Sequence, residues 1–386
     1  MQIFDANLTF PPLAIIERVA DRAGASAPTT APTGRDAIPR FVDSRTFTQP
    51  LSFAERANRV DQYYEQAVKH GFSGSVLVAK DDRILLAKGF GEADRAKHVP
   101  NTKDTLYDIG SLTKQFVAAS ILQLVEKGKV SLDDPISKYL SAPKAKANIT
   151  IRELLMHRSG LDYPTGDGNP RIDPRDGRAY LEDFLKNAPL RSKPGTSFYY
   201  NNVNYDLLAY VVQSASGERY EDYLTNHLFR PAGMTHTGFN IPGTIDRDRA
   251  AIGYDGPTAH LRAGDLPNDW GYKGATGVVT SVEDLFKWTM ALRTGNILSA
   301  DSRALLFTPA PGKTKKGESP YAMGWMVDVG KDGKPARVFH DGSTEGFLSL
   351  LTMDLKNGVT VITLSNDFKR GDPYLGSAER IMNPQP

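Results

Sequence analysis

Cysteine is absent from the 386 residues. Disulfide staples, thiolate metal sites and cysteine nucleophiles are excluded together. No run of 18 apolar residues occurs, so no segment reads as a transmembrane helix. Neither sign of charge dominates: 47 basic and 45 acidic residues leave a formal net charge of +2, which is no electrostatic footprint for nucleic acid. Histidine is sparse, at seven residues, and no two stand at the spacing of a zinc hydrolase. No Gly-x-Ser-x-Gly elbow is present, which counts against an α/β-hydrolase. Residues 312–318 (GKTKKGE) lack the spacing of a phosphate loop and a preceding strand, and read as a solvated turn. No repeat of 20–50 residues is visible.

What remains has globular proportions, 40% hydrophobic and 24% charged, in a chain long enough for one large domain or two ordinary ones. The first 50 residues read as an arm, with Ala, Pro, Thr and Gly crowded into 21–40 as in a flexible linker. Asp5 precedes the first basic residue, Arg18, and Pro11-Pro12 interrupts the only apolar stretch near the start. That is not the pattern of a signal peptide. The chain as it stands reads as cytoplasmic, and as periplasmic or secreted if a leader has been trimmed.

From residue 51 onward the pattern predicts one domain, 51–386. Helical spacing covers 53–70, ended by Gly71. Residues 74–79 and 83–90 read as a hairpin through Asp81-Asp82. Apolar helices follow at 114–128, 150–156 and 204–216, with others at 219–228 and 281–294. Strands return at 321–329, 336–340, 347–354 and 358–366. This order predicts an α+β fold: one antiparallel sheet built from both chain ends and flanked by helices. A mostly helical lobe, about 135–270, is inserted, and a cleft lies between sheet and lobe. Residues 163–178 are too long for a plain connector and read as a lid over the cleft or a solvated loop. Residues 253–273, with Tyr254, Trp270 and Tyr272, read as an acyl-pocket lining or a surface loop.

The chemistry-bearing segment is 108–117, DIGSLTKQFV. Ser111 precedes an apolar helix and Lys114 follows three residues later, on the same face if both are helical. In the first turn, unpaired N–H groups and the helix dipole favour developing negative charge at Ser111. Burial would lower the pKa of Lys114, so that a neutral amine could act as base on the Ser111 hydroxyl. The spacing alone is weak, since Ser141 and Lys144 repeat it in SAPK. There Pro143 sits inside the motif in a loop. Ser111 is the better nucleophile by context.

The segments DIGSLTKQF, KVSLDDPISKYL and TIRELLMHRSGL, followed in order by PGTSFYYNNVNYDLLAYVV, GATGVVTSVEDLFKW, YAMGW and HDGSTEGF, resemble the serine β-lactamase-like superfamily. The nearest branch includes class C β-lactamases, penicillin-binding D-Ala-D-Ala carboxypeptidases, D-aminopeptidases and related esterases. The resemblance covers about residues 53–370. It implies the β-lactamase/transpeptidase-like fold and a serine hydrolase with no metal or cofactor. Its substrate would be a small ester, amide or peptide. Ser111 would be the acylated nucleophile, Lys114 its proton partner and Tyr200 the acid and base toward the leaving group. A phenol beside an ammonium can also ionise or relay a proton. Asn202 would hold Lys114 and a substrate carbonyl. His340, Asp341 and Gly342 match the third motif, usually Lys-Thr-Gly or His-Thr-Gly. Gly342 would let substrate approach the backbone, and the N–H groups of Ser111 and Ser343 would form the oxyanion hole. His157 and Ser159 are read as shaping the helical lobe, not as chemistry.

Asp341 departs from the family pattern. Members acting on β-lactams or peptide C-termini use a hydroxyl and a cation there to hold a carboxylate, and an acidic side chain facing the cleft would repel one. A protonated His340 would offset part of that repulsion. Hydrolysis of small esters or amides is therefore the leading expectation. A D-Ala-D-Ala carboxypeptidase or class C-like β-lactamase is the alternative. A non-catalytic penicillin-binding or scaffold protein comes third.

Overall fold

The computed structural model describes residues 51–163, 176–311 and 318–383. The expected arm over 1–50, nearly all of the expected lid and most of the Lys-rich turn at 312–318 lie outside the described residues.

The first helix among the described residues, α1 (Phe53–Lys69), starts at a reciprocal cap. The Ser52 hydroxyl accepts the Glu55 N–H, and the Glu55 carboxylate accepts the Ser52 N–H. Two of the helix's orphan donors are thereby satisfied. The hairpin β1 (Gly74–Lys80) and β2 (Arg83–Phe90) follows as expected. After the helical middle come β3 (Met326–Val329), β4 (Pro335–Thr344), β5 (Phe347–Asp354) and β6 (Val359–Ser365). All pair antiparallel in the order β3-β4-β5-β6-β1-β2. Among the described residues the last strand of this sheet thus sits beside the first, and the two ends of the domain build one sheet.

Alternation of side chains gives the sheet two cores. Val76 and Val78 of β1 and Val359 and Val361 of β6 pack on α1 and on α5 (Ser377–Met382). Leu77, Ala79, Ile362 and Leu364 point the other way, into the larger core around α2 (Lys114–Glu126). Ten of the thirteen α2 residues are buried, so each polar group on it must find its partner inside the protein. Gln115 accepts from the Trp288 indole at 3.1 Å, and Ser120 donates to the Phe116 carbonyl at 2.9 Å. Trp288 belongs to α4 (Val282–Thr294), which lies between α2 and the sheet. On the other side of α2 lies α3 (Val203–Ser216), the main helix of the middle region, closed by Gly217 at φ +80°.

Three expectations are corrected. The strand expected over 321–329 is only β3, because the chain turns at Gly324 (φ +76°), where a Cβ would stand 2.8 Å from the Lys114 carbonyl. Tyr321 comes back to bridge Met326. The strand expected over 336–340 runs on to Thr344. Residues 253–273 are not a solvated surface loop at Tyr254 or Trp270, both of which are buried. Tyr254 lies in a hairpin (Ile252–Asp255 with Thr258–Arg262), where its hydroxyl accepts the Arg95 N–H. Trp270 is buried against Gly177 and the Tyr210 ring.

Candidate active site

Ser111 lies in a single 3-10 turn, Gly110–Thr113, directly ahead of α2, which begins at Lys114 itself. The sequence placed Ser111 inside the helix's first turn. The tighter turn instead carries the hydroxyl just outside it, with the i+3 relation to Lys114 intact. Gly110 is what permits the approach to β4. Its φ is +52°, and a Cβ there would stand 2.6 Å from the Ser343 N. From the other side, a Cβ on Gly342 would stand 2.2 Å from the Ile109 carbonyl and 2.9 Å from the Ser111 N. Two glycines therefore bring the amides of Ser111 and Ser343 into one place.

Lys114 is completely buried. Its Nζ lies 2.9 Å from Ser111 Oγ, 2.9 Å from Asn202 Oδ1 and 3.0 Å from the Ala275 carbonyl. Burial pushes its pKa down to about 7, against the opposing pull of Asp206 and Asp341. A neutral amine has two N–H donors and one lone pair. Asn202 and Ala275 can take the two donors, which leaves the lone pair for the Ser111 hydroxyl. Asn202 stands at the start of α3. Its own N–H donates to the Tyr163 hydroxyl at 3.0 Å, which fixes the turn from which the amide reaches Lys114.

Tyr200 Oη donates to Ser111 Oγ at 2.9 Å. Burial is the main reason its pKa is raised well above that of a free tyrosine, and the Asp341 charge adds to the rise. Of the two behaviours expected for this phenol, ionisation is therefore disfavoured and proton relay fits. The ring is held by His157, which is wholly buried and stacks on it at 4.2 Å between ring centres. The His157 carbonyl also accepts the N–H of Tyr199 at 2.9 Å. His157 adopts φ +53°, a conformation few non-glycine residues hold without cost. Sequence reasoning assigned His157 only to the shape of the lobe. The structure sets it directly behind Tyr200.

Along β4, His340 and Gly342 point to the Ser111 side. Asp341 points to the opposite face, in register with Leu350. Asp341 is 6% exposed. Burial pushes its pKa up to about 6, and its charge still reaches Lys114 and Tyr200. The expected protonated His340 is corrected. This ring is buried, its Nδ1–H donates to the Asp341 carbonyl at 2.5 Å, and its Nε2 accepts from the Tyr321 hydroxyl at 3.0 Å. Burial and the Lys114 charge hold its pKa down at about 3. A neutral His340 offsets nothing of the Asp341 charge.

The structure thus joins Ser111, Lys114, Tyr200 and Asn202 by direct hydrogen bonds, with Gly342 and Ser343 against the same turn. Among the described residues no group of three or more His, Asp or Glu is placed to hold a metal ion. No helix among them is long and apolar enough to cross a membrane. Besides Tyr163 and Tyr321, which bond Asn202 and His340, a buried carboxylate beside this network was missed: Asp206, hidden in the apolar run NYDLLAYVV. Its signal was the i+4 spacing from Asn202.

Comparison with known proteins identifies the fold and the family. The chain is 32% identical over 325 residues to PbpX of Bacillus subtilis (strain 168), provisionally named a penicillin-binding protein, covering 83% of this chain and 76% of that one. It is 30% identical over 322 residues to the protein flp of Staphylococcus aureus (strain MW2), covering 80% of this chain but only 62% of flp. Among solved structures, EstCE1, "a hydrolase with promiscuous acyltransferase activity", shares the fold with a TM-score of 0.70 at 24% identity, over 86% of this chain and 98% of that one. The Beta-lactamase family model matches residues 60–382. The chain belongs to the beta-lactamase family.

Proposed function

We propose that the protein is a serine hydrolase that cleaves small esters or amides through an acyl-enzyme on Ser111. One observation carries the reading. The Ser111 hydroxyl lies 2.9 Å from both Lys114 Nζ and Tyr200 Oη, so a single oxygen has a base on one side and an acid on the other. The Lys114 amine takes the hydroxyl proton as Oγ attacks the acyl carbon. The N–H groups of Ser111 and Ser343 hold the oxyanion, each such donor being worth about 3 kcal/mol in a transition state. Tyr200 gives its proton to the leaving group and recovers one from Lys114. Water then enters by the reverse route, releases the acid and restores Ser111.

Asp341 faces away from Ser111, so it does not confront a substrate directly, but the neutral His340 supplies no cation to hold a substrate carboxylate, which supports an acyl donor without one. The kinship with PbpX favours a second reading, reaction with β-lactams or D-Ala-D-Ala peptides. Hydrolysis of p-nitrophenyl butyrate and of nitrocefin by the wild type and by Ser111→Ala separates the two. Ester turnover that vanishes in Ser111→Ala, with little nitrocefin cleavage, is expected. Nitrocefin turnover with the ester untouched moves the assignment to the second reading. Ester turnover that survives Ser111→Ala overturns both.

A further inference from the structure

The Ala275 carbonyl that receives Lys114 is itself held from behind. Gly274 (φ +89°) lies so close to α3 that a Cβ would stand 2.2 Å from the Tyr205 carbonyl. The next N–H, that of Ala275, donates to Asp206 Oδ1 at 3.3 Å. Asp206 is completely buried, and its Oδ2 has no hydrogen-bond partner. It stands one helical turn beyond Asn202, and its own N–H donates to the Asn202 carbonyl. One face of α3 therefore reaches Lys114 twice, directly through the Asn202 amide and through the single residue Ala275 from Asp206.

We infer that Asp206 is a positioning residue of this site, which holds Ala275 in place against Lys114 and couples its own carboxyl group to that amine. Burial alone would drive Lys114 toward a weak, permanently neutral base. Asp206 is the larger of the two charges that oppose this. Burial raises the pKa of Asp206 itself well above the ordinary carboxylate value and the Lys114 charge pulls it back, so the two groups titrate against each other. The groups facing Asp206 are Lys114 from α2, Asp269 from the strand-free segment before Gly274, Tyr163 from the turn after Leu161 and Tyr220 from the next helix. Those facing Lys114 besides Asp206 are Asp341 and His340 from β4 and His157. Of these, Asp206 alone is tied by a hydrogen bond to the residue whose carbonyl Lys114 contacts, through the Ala275 N–H. The inference uses the Ser111–Lys114 reading above, but its test does not depend on turnover.

The test is a titration of Lys114 by NMR in protein labelled with carbon-13 at lysine Cε, the resonance assigned by its loss in Lys114→Arg. In the wild type the midpoint is expected near 7. In Asp206→Asn, which keeps an acceptor for the Ala275 N–H but removes the charge, the midpoint falls by about one pH unit or more. Asp206→Glu moves it back toward the wild-type value. An unmoved midpoint in a folded Asp206→Asn protein overturns the inference. If that variant does not fold, the wild type alone decides through its Asp206 carboxyl carbon-13 resonance. An inflection at the Lys114 midpoint supports the coupling, and its absence overturns it.

Discussion

The two faces of the central sheet bury side chains by different rules. On the α1 and α5 face the filling is mostly apolar, and its tyrosine hydroxyls are paired simply. Tyr64 Oη donates to the Tyr374 carbonyl at 2.7 Å, and Ser377 Oγ donates to Tyr63 Oη at 3.1 Å. On the α2 face the same β-strands close over Lys114, His157, Asp206 and His340, all within 1% of complete burial. Burying such groups costs stability unless they are paired, and the unpaired His157 Nε2 and Asp206 Oδ2 show that pairing is incomplete. One face is built for stability. The other accepts that cost, and burial shifts each of these groups toward its uncharged form.

The comparison predicts that changes on the two faces separate activity from stability. The largest effect is expected on the α2 side. Gly342→Val would drive a side chain into the Ile109 carbonyl and the Ser111 N–H, and should lower kcat/KM for p-nitrophenyl butyrate by more than about a hundredfold. Tyr200→Phe keeps the ring stacked on His157 but removes the proton donor. A fall in kcat of about 10²–10⁴-fold, with little change in melting temperature, is expected in steady-state and thermal assays.

The third prediction concerns pH. The folded-state pKa of Lys114 is depressed to about 7 from an ordinary 10.5. Between those values the unfolded chain binds a proton that the folded protein does not, so this residue's contribution to stability rises with pH. The difference in melting temperature between Lys114→Met and the wild type should shift in the wild type's favour from pH 7 to pH 10. A pH-independent difference would show that Lys114 is not buried as a neutral amine. Tyr64→Phe, on the other face, should cost about 1 kcal/mol in denaturant unfolding while leaving kcat unchanged. The smallest effect is expected at Asp341, whose carboxylate acts from across β4. Asp341→Asn should raise kcat/KM a few-fold for acyl esters carrying a carboxylate, relative to neutral ones.

Much of this was legible in the sequence, for physical reasons. Period-two runs such as GSVLVA and FLSLLTMD can bury both faces only inside a sheet, and the order of segments forces the two chain ends together. Ser111 and Lys114 share one rigid element, so three residues of spacing carried their geometry. What sequence could not carry is convergence from distant segments. The stacking of His157 on Tyr200, the tie from Tyr321 to His340 and the link through Ala275 between Asp206 and Lys114 each join parts of the chain that only the folded core brings together. Asp206 in particular is masked by its apolar neighbours. Periodicity reads α3 as a core helix, which it is, and says nothing of the one carboxylate the core encloses. The charge state of His340 was misread because a residue near a strand end gives no hint of burial.

The central claim is that Ser111 is acylated with Lys114 as its base. Intact-protein mass spectrometry with peptide mapping, on enzyme quenched within its first turnovers of p-nitrophenyl butyrate, tests it most directly. The account predicts one butyryl group on Ser111 whose rate of appearance rises with pH through about 7 and is lost in Lys114→Met. Acyl label on another residue, or label on Ser111 that forms equally fast without Lys114, would contradict it.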